Sequence, residues 1–142
     1  MPSSIFLRAI DPQTEQELFQ AAYNWRNKPK KNRLPFEEFA KDDPSQITLG
    51  LFNGELQAVY FFHQIGPSQY QVHFTSKRTS DRGLVLAGAA TLVRWFQENN
   101  LEMVAYVTKR NAPLWRFAES AGMVRRDTLA HPDTFMLTSM VP

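Results

Sequence analysis

Residues 70–123 read YQVHFTSKRTSDRGLVLAGAATLVRWFQENNLEMVAYVTKRNAPLWRFAESAGM. Tyr70–Ser76 predicts a strand, and Lys77–Gly83 a polar, basic connection. A helix is predicted over about Leu84–Asn99 and a second strand over about Glu102–Thr108. Lys109–Ala112 reads as a turn, and a short helix over about Pro113–Ser120 then runs into Ala121-Gly122-Met123. A crossover of about 25 residues that contains a helix makes its two flanking strands parallel and right-handed in their connection. The polar residues of this unit gather at strand ends and helix starts, where a sheet of this kind opens a ligand crevice.

Upstream of this unit, Ile5–Ile10 is a strand candidate. Asp11 is placed to cap a helix with Pro12 at its first position. Leu18, Ala21 or Ala22, and Trp25 lie at helical spacing, so one face of that helix is buried. The helix is expected to stop near Asn27. Lys28–Arg33 is a basic loop containing Pro29, and Pro35–Lys41 a second short helix. Asn53-Gly54 divides Ile47–Phe52 from Glu55–Phe62, a hairpin signal in which both central residues take positive φ. Ala58–Phe62 is continuously apolar, which suits a strand covered on both faces. Gly66-Pro67-Ser68 then turns the chain into Tyr70–Ser76. Downstream, Met123–Leu129 and Phe135–Val141 read as a final pair around His131-Pro132-Asp133. The expected architecture is α/β (α+β): a mixed, mostly antiparallel sheet of about seven strands, a central parallel pair and about four helices.

The chain has 142 residues, 43% hydrophobic and 13% aromatic. That suits a single domain over residues 1–142 with a real core, and is too apolar for disorder. Cysteine is absent, which excludes thiolate metal sites, disulfides and a cysteine nucleophile; no metal site is expected. No apolar run approaches ~20 residues, so no membrane span is expected. MPSSIFLRAI has no basic region followed by a long apolar core, so it does not read as a signal peptide. A cytoplasmic location is the expectation. The formal charge is only +2, too mild to point to a nucleic-acid partner.

Helix N-termini bind anions through backbone N–H groups and the helix dipole. The helix near Gly83 starts just downstream of Lys77, Arg78 and Arg82, a set that suits a diphosphate. Two readings stand for Gly88: room for a ligand to approach, or small-residue packing together with Ala87, Ala89 and Ala90 against the sheet. Two also stand for Asn111, which follows the second strand: a cap for the helix near Pro113, or a ligand contact.

The element order resembles that of the GNAT N-acetyltransferases, and Val104–Asn111 followed by Ala112–Met123 carries the resemblance most specifically. A strand ends in an Asn, an amphipathic helix follows, and Gly122 and an apolar residue come eleven and twelve positions after the Asn. The resemblance implies acetyl-coenzyme A as cofactor. Its diphosphate would lie on the Arg82–Ala90 region, with Arg82, Gly83, Ala87, Gly88 and Ala90 as contacts. Its pantetheine would pair with the edge of the Tyr70–Ser76 strand at Phe74 and Thr75, and Asn111 would face that arm. The implied reaction is direct attack of an acceptor amine on the thioester carbonyl.

Two positions depart from the family pattern. In the window Val85-Leu-Ala-Gly88-Ala-Ala90, Val stands where the family has Arg or Gln. Ala118 stands where many members place a Tyr that protonates the leaving thiolate. His73 is the candidate base and Tyr106 the substitute acid. Lys30, Lys31 and Arg33, in the loop that shapes acceptor choice in the family, are candidate substrate contacts favouring an acidic small molecule or protein. The rival expectation is a catalytically degenerate GNAT-like binding or structural protein, such as a bacteriophage component located in the virion. A homodimer or a macromolecular partner is compatible with either.

Overall fold

The computed structural model describes residues 5–26, 45–77 and 80–140. The expected helix over Pro35–Lys41 and the basic loop with Lys30, Lys31 and Arg33 lie outside them. Ten elements follow in order: β1 (Ile5–Ala9), α1 (Gln16–Arg26), β2 (Gln46–Asn53), β3 (Glu55–Gly66), β4 (Gln69–Ser76), α2 (Arg82–Glu98), β5 (Glu102–Thr108), α3 (Ala112–Ser120), β6 (Val124–Asp127) and β7 (Thr134–Thr138). The seven strands form one sheet in the order β1-β2-β3-β4-β5-β7-β6. β1 pairs with β2, β5 with β7 and β6 with β7, all antiparallel. β4 and β5 form the expected parallel pair, in register from Gln69↔Glu102 to Gln71↔Val104.

The contacts within the chain fall into two units. One is Met1–Phe62 with His73–Asp81. Its core is Ile10, Phe19, Ala22, Tyr23, Phe52, Leu56, Val59 and Phe61, with Leu18 and Trp25 packed against it. β3 is buried without a break from Leu56 to Phe62, as its apolar run requires: β-branched and aromatic side chains suit a pleated surface buried on both sides. The helix over this core differs from expectation. Asp11 does not cap it directly. Asp11 Oδ1 accepts from the Gln13 amide at 2.9 Å and the Asp11 carbonyl from the Glu15 amide at 2.9 Å, closing a turn before the helix begins at Gln16. An Asx turn competes with the helix for the same backbone donors, and here it takes them. The fully buried residues of α1 are Phe19, Ala22 and Tyr23.

The β2–β3 connection also differs. Gly54 has φ +78°, but Asn53 is not at positive φ. Asn53 is still in register with Ile5 of β1, so the ladder holds it extended and Gly54 alone carries the reversal.

The second unit is His63–Val72 with Arg82–Pro142. α2 buries Val85, Gly88, Leu92, Val93 and Phe96, the spacing of one helical face. Both of its helices end in the same way. Asn100 (φ +55°) donates to the Gln97 carbonyl and Leu101 to the Phe96 carbonyl; Gly122 (φ +108°) donates to the Glu119 carbonyl and Met123 to the Ala118 carbonyl. Each is a Schellman end, which satisfies carbonyls that the last helical turn leaves open. Gly122 is therefore a conformational requirement.

The paired start of β4 and β5 is fastened by side chains. Glu102 accepts from Gln69 Nε2 at 2.6 Å on one carboxylate oxygen and from the Thr138 hydroxyl at 2.6 Å on the other. Buried Ser139 accepts the Met103 amide on its hydroxyl at 2.8 Å, and its carbonyl accepts Gln97 Nε2 of α2 at 2.8 Å.

Candidate functional site

β4 carries its candidate residues on the first unit. His73 is exposed and Phe74 half-buried, while Thr75 is buried. Phe74 stacks on Tyr60 with ring centroids 5.9 Å apart. Burial pushes the Tyr60 phenol well above its usual range, because the charged form loses its water. Tyr60 is therefore a poor proton donor at neutral pH. The Lys77 amide donates to the Gln57 carbonyl at 2.9 Å, its side chain pairs with Glu55, and its carbonyl accepts the Ser80 hydroxyl at 2.6 Å.

On the second unit, α2 begins at Arg82, two residues before the sequence placed it. Arg82 and Gly83 are exposed in its first turn. Arg82 makes no ion pair among the described residues. The window from Val85 to Ala90 lies inside the helix. There Gly88 is buried on the packed face, Ala87 is exposed and Ala90 is half-buried. Backbone N–H groups beyond the first turn of a helix are spent on the carbonyls four residues back. Arg82 and Gly83 thus hold the helix start, and the burial of Gly88 fits its packing role.

Asn111 is exposed at the N-cap position of α3, with φ −89° and ψ +64°, and its side chain makes no capping hydrogen bond. The capping reading is thereby corrected. At ψ near +64° the side chain is not presented to the helix as an extended cap residue would present it, and Pro113 in the first turn reduces the number of donors to cap. The backbone of Asn111 is nevertheless fixed. Its amide donates to Thr108 at 3.0 Å, and its carbonyl accepts from Leu114 and Trp115, each at 3.2 Å. The turn before it is held by Trp115 Nε1, which donates to the Lys109 carbonyl at 3.0 Å, and by the Lys109 amide, which donates to the Asp133 carbonyl at 2.8 Å.

Around that turn lies a knot of aromatic and charged side chains. Trp115 meets Phe135 edge-on with centroids 5.6 Å apart. The Arg125 guanidinium lies 4.3 Å from the Trp115 ring centre and 4.7 Å from that of Phe135. Lys109 pairs with Asp127 at 3.0 Å and Arg125 with Glu119 at 3.5 Å. Trp115 does more than pack. Its indole N–H, four residues after Asn111, was the signal for a hydrogen bond back to the turn.

Tyr106, in the middle of β5, is 50% exposed, and its register partner on β7 is Met136. Ala118 is 9% exposed, so the position where a tyrosine would stand in the family is small and closed over, and offers no hydroxyl.

With this geometry in view, the chain has the fold of the GNAT N-acetyltransferases. No family model matches the sequence, and no curated protein does. Solved structures do. A variant of the spermidine N-acetyltransferase SpeG from Vibrio cholerae matches 94% of this chain over 91% of its own, with TM-score 0.70 and 12% identity. A GNAT-family acetyltransferase from Streptococcus pneumoniae matches 95% over 97%, with TM-score 0.64 and 16% identity. AAC(6')-Ib, solved in complex with paromomycin and acetyl-coenzyme A, matches 95% over 91%, with TM-score 0.69 and 15% identity. No helix among the described residues is long and apolar enough to cross a membrane.

Proposed function

We propose that this protein is an acetyl-coenzyme A-dependent N-acetyltransferase that passes the acetyl group directly to an amine. The observation that carries the reading is Asn111: a cap-position asparagine with a fixed backbone and an exposed side chain that makes no cap bond. A purely structural cap would make that bond, whereas a ligand contact would leave it unmade. Arg82, exposed at the start of α2 with no ion pair among the described residues, suits a diphosphate. The exposed start of α2 and the non-capping Asn111 therefore suit such a cofactor. On the second unit, Arg82 and Gly83 would hold its phosphates and Asn111 would meet its pantetheine arm; for the first unit, the resemblance to the family assigns Phe74 and Thr75 of β4 to that arm. Ala87, Gly88 and Ala90 contribute by packing and by leaving the helix surface small.

The cofactor supplies an activated acetyl thioester. Transfer to an amine would exchange the thioester's C–S bond for a C–N bond and would leave this chain two protons to move, one off the nitrogen and one onto the departing thiolate. His73, exposed on β4, is assigned the first proton, since a neutral imidazole carries a lone pair that can take it. The exposed phenol of Tyr106 is assigned the second, since position 118 has no hydroxyl to give and Tyr60 is held neutral by burial. Positioning and carbonyl polarisation carry most of the rate in such transfers, so a modest acid suffices. Calorimetry with acetyl-coenzyme A tests the reading, and an absence of binding at millimolar ligand sinks it.

The closed, hydroxyl-free position 118 favours a second reading: a GNAT-like binding or structural protein that has lost turnover. It predicts no coenzyme A release with any amine, together with a stable macromolecular partner. Turnover with an amine panel counts against it.

A further inference from the structure

Arg125 and Arg126 are neighbours on β6, so their side chains leave opposite faces of the sheet. Arg125 goes to the face under α3, where Glu119, Trp115 and Phe135 engage it. The strand registers carry Arg126 to Met136 and Met136 to Tyr106. One row, Arg126–Met136–Tyr106, therefore crosses β6, β7 and β5 on the face away from α3. Next to it Thr134 and Thr108 face each other in register. Arg126 is exposed and makes no ion pair among the described residues. Tyr106 is half exposed, and Met136 is half-buried between the two. Tyr106 also lies beyond Val104, where the β4–β5 register ends.

We infer that this row selects the acceptor, and that the acceptor is an amine carrying a carboxylate, of about dipeptide size. The inference rests on the acetyltransferase reading and names its substrate class. Neighbouring strands stand about 4.8 Å apart, so Tyr106 and Arg126 are roughly 10 Å apart across the row. An amine held beside Tyr106 would then place a carboxylate one short chain away against the guanidinium, which grips carboxylates in a two-pronged manner. Met136 between them offers an adaptable apolar floor. Among the described residues, the nearest carboxylate on the same face is Glu102, four residues back along β5, or roughly 13 Å away. Both of its oxygens are already hydrogen-bonded. Nothing described in the row would attract a polyamine, and Arg126 repels one.

The test uses the full chain with acetyl-coenzyme A and three acceptors: L-alanyl-L-glutamate, L-alanyl-L-lysine amide and spermidine. The two dipeptides present the same α-amine with opposite charge. The expected result is a kcat/KM at least about tenfold higher for the glutamate dipeptide, a factor worth about 1.4 kcal/mol. The difference is expected in KM, and Arg126→Glu should reverse the preference while Arg126→Lys keeps part of it. Acetyl-coenzyme A affinity should be equal in all three proteins, which shows the variants folded. If no acceptor turns over, NMR titration of the coenzyme A complex decides. Saturable binding of the glutamate dipeptide that Arg126→Glu abolishes supports the proposal. Equal use or equal binding of the acceptors, a preference for spermidine, no binding by any of them, or indifference to Arg126→Glu overturns it. Failure of acetyl-coenzyme A to bind at all instead overturns the reading beneath it.

Discussion

The indole N–H of Trp115 donates to the carbonyl of Lys109 at 3.0 Å, spanning the turn that presents Asn111. The same ring packs edge-on against Phe135 and lies under Arg125. Trp115→Phe keeps an aromatic ring but removes the donor. A hydrogen bond of this kind contributes about 1 kcal/mol, so denaturant unfolding should show a loss of that order. In the acetyltransferase reading, acetyl-coenzyme A affinity should fall as well, because the turn carrying Asn111 loses a fastening. A loss of stability with unchanged affinity would separate the turn from the ligand.

Asn111→Ala should behave in the opposite sense. Removing a working cap costs about 1 kcal/mol, but this side chain makes no cap bond. Stability should therefore change by less than about 0.5 kcal/mol. Affinity for acetyl-coenzyme A should drop several-fold to about tenfold, the range of one lost hydrogen bond. Calorimetry and a urea melt on the same sample check both halves.

Gly122→Ala tests the helix end that defines the Asn-to-Gly spacing. A Cβ there would lie 3.4 Å from Val93 Cγ1, at the limit of ordinary contact, so the steric term is small. The φ of +108° is the larger obstacle, since left-handed backbone costs an L-residue about 1–2 kcal/mol. The midpoint of unfolding should fall accordingly, and Gly122→Val should be worse, because β-branching crowds that conformation further.

Much of the fold was legible because its signals are local. The apolar run Ala58–Phe62 declared a buried strand, and the crossover length declared a parallel pair. The stretch from Asn111 to Gly122 located α3, and the structure added the Schellman end at Gly122. The errors fell where two local options compete. Asp11 could cap a helix or close an Asx turn, and hydrogen bonds to Gln13 and Glu15 chose the turn. Asn53 could enter the hairpin turn or stay in the ladder, and pairing with Ile5 kept it extended. The proposed acceptor row was less legible, because it depends on register. Arg126, Met136 and Tyr106 are spread over three strands, and only the pairing of β6, β7 and β5 brings them into one row. The window around Gly88 matched a diphosphate loop by composition, yet the helix begins at Arg82 and buries Gly88. Composition cannot tell a helix start from a helix interior when both are rich in small residues.

Arg8 and Glu15 give a pH-dependent contribution with a definite sign. The guanidinium holds both carboxylate oxygens, at 3.0 and 2.8 Å, and that bonding lowers the Glu15 pKa. A carboxyl depressed in the folded state contributes stability that is present above its unfolded pKa and lost as pH falls through its folded one. Stability should therefore decline on the acid side of the ordinary glutamate range, about pH 4.3. Glu15→Gln should flatten that part of the profile. The pair is partly solvated, so the effect should be small and weaker at high salt. An unchanged acid limb in Glu15→Gln would assign the decline to other carboxylates.

Glu102 offers the sharpest test of what fastens the parallel pair. Its two oxygens are divided between Gln69, its register partner on β4, and Thr138 on β7. Thr138 is only 1% exposed, and its hydroxyl also accepts the Met140 amide at 3.1 Å. Glu102→Ala leaves that buried hydroxyl without an acceptor, which costs about 1–3 kcal/mol. Gln69 lies at the surface and can turn to water, so it adds little. Glu102→Gln should cost less, because its carbonyl can still accept the Thr138 hydroxyl while its amide turns to the surface side chain of Gln69, whose own amide can flip to accept it. Thr138→Val should lose much of its own effect in the Glu102→Ala background, giving a coupling above about 0.5 kcal/mol in a double-mutant cycle. Hydrogen exchange should quicken first at Gln69–Gln71 and Glu102–Val104, where the two strands are in register. Additive losses with uniform exchange would mean that the backbone ladder alone holds β4 to β5, and that the carboxylate merely fills its place at the edge.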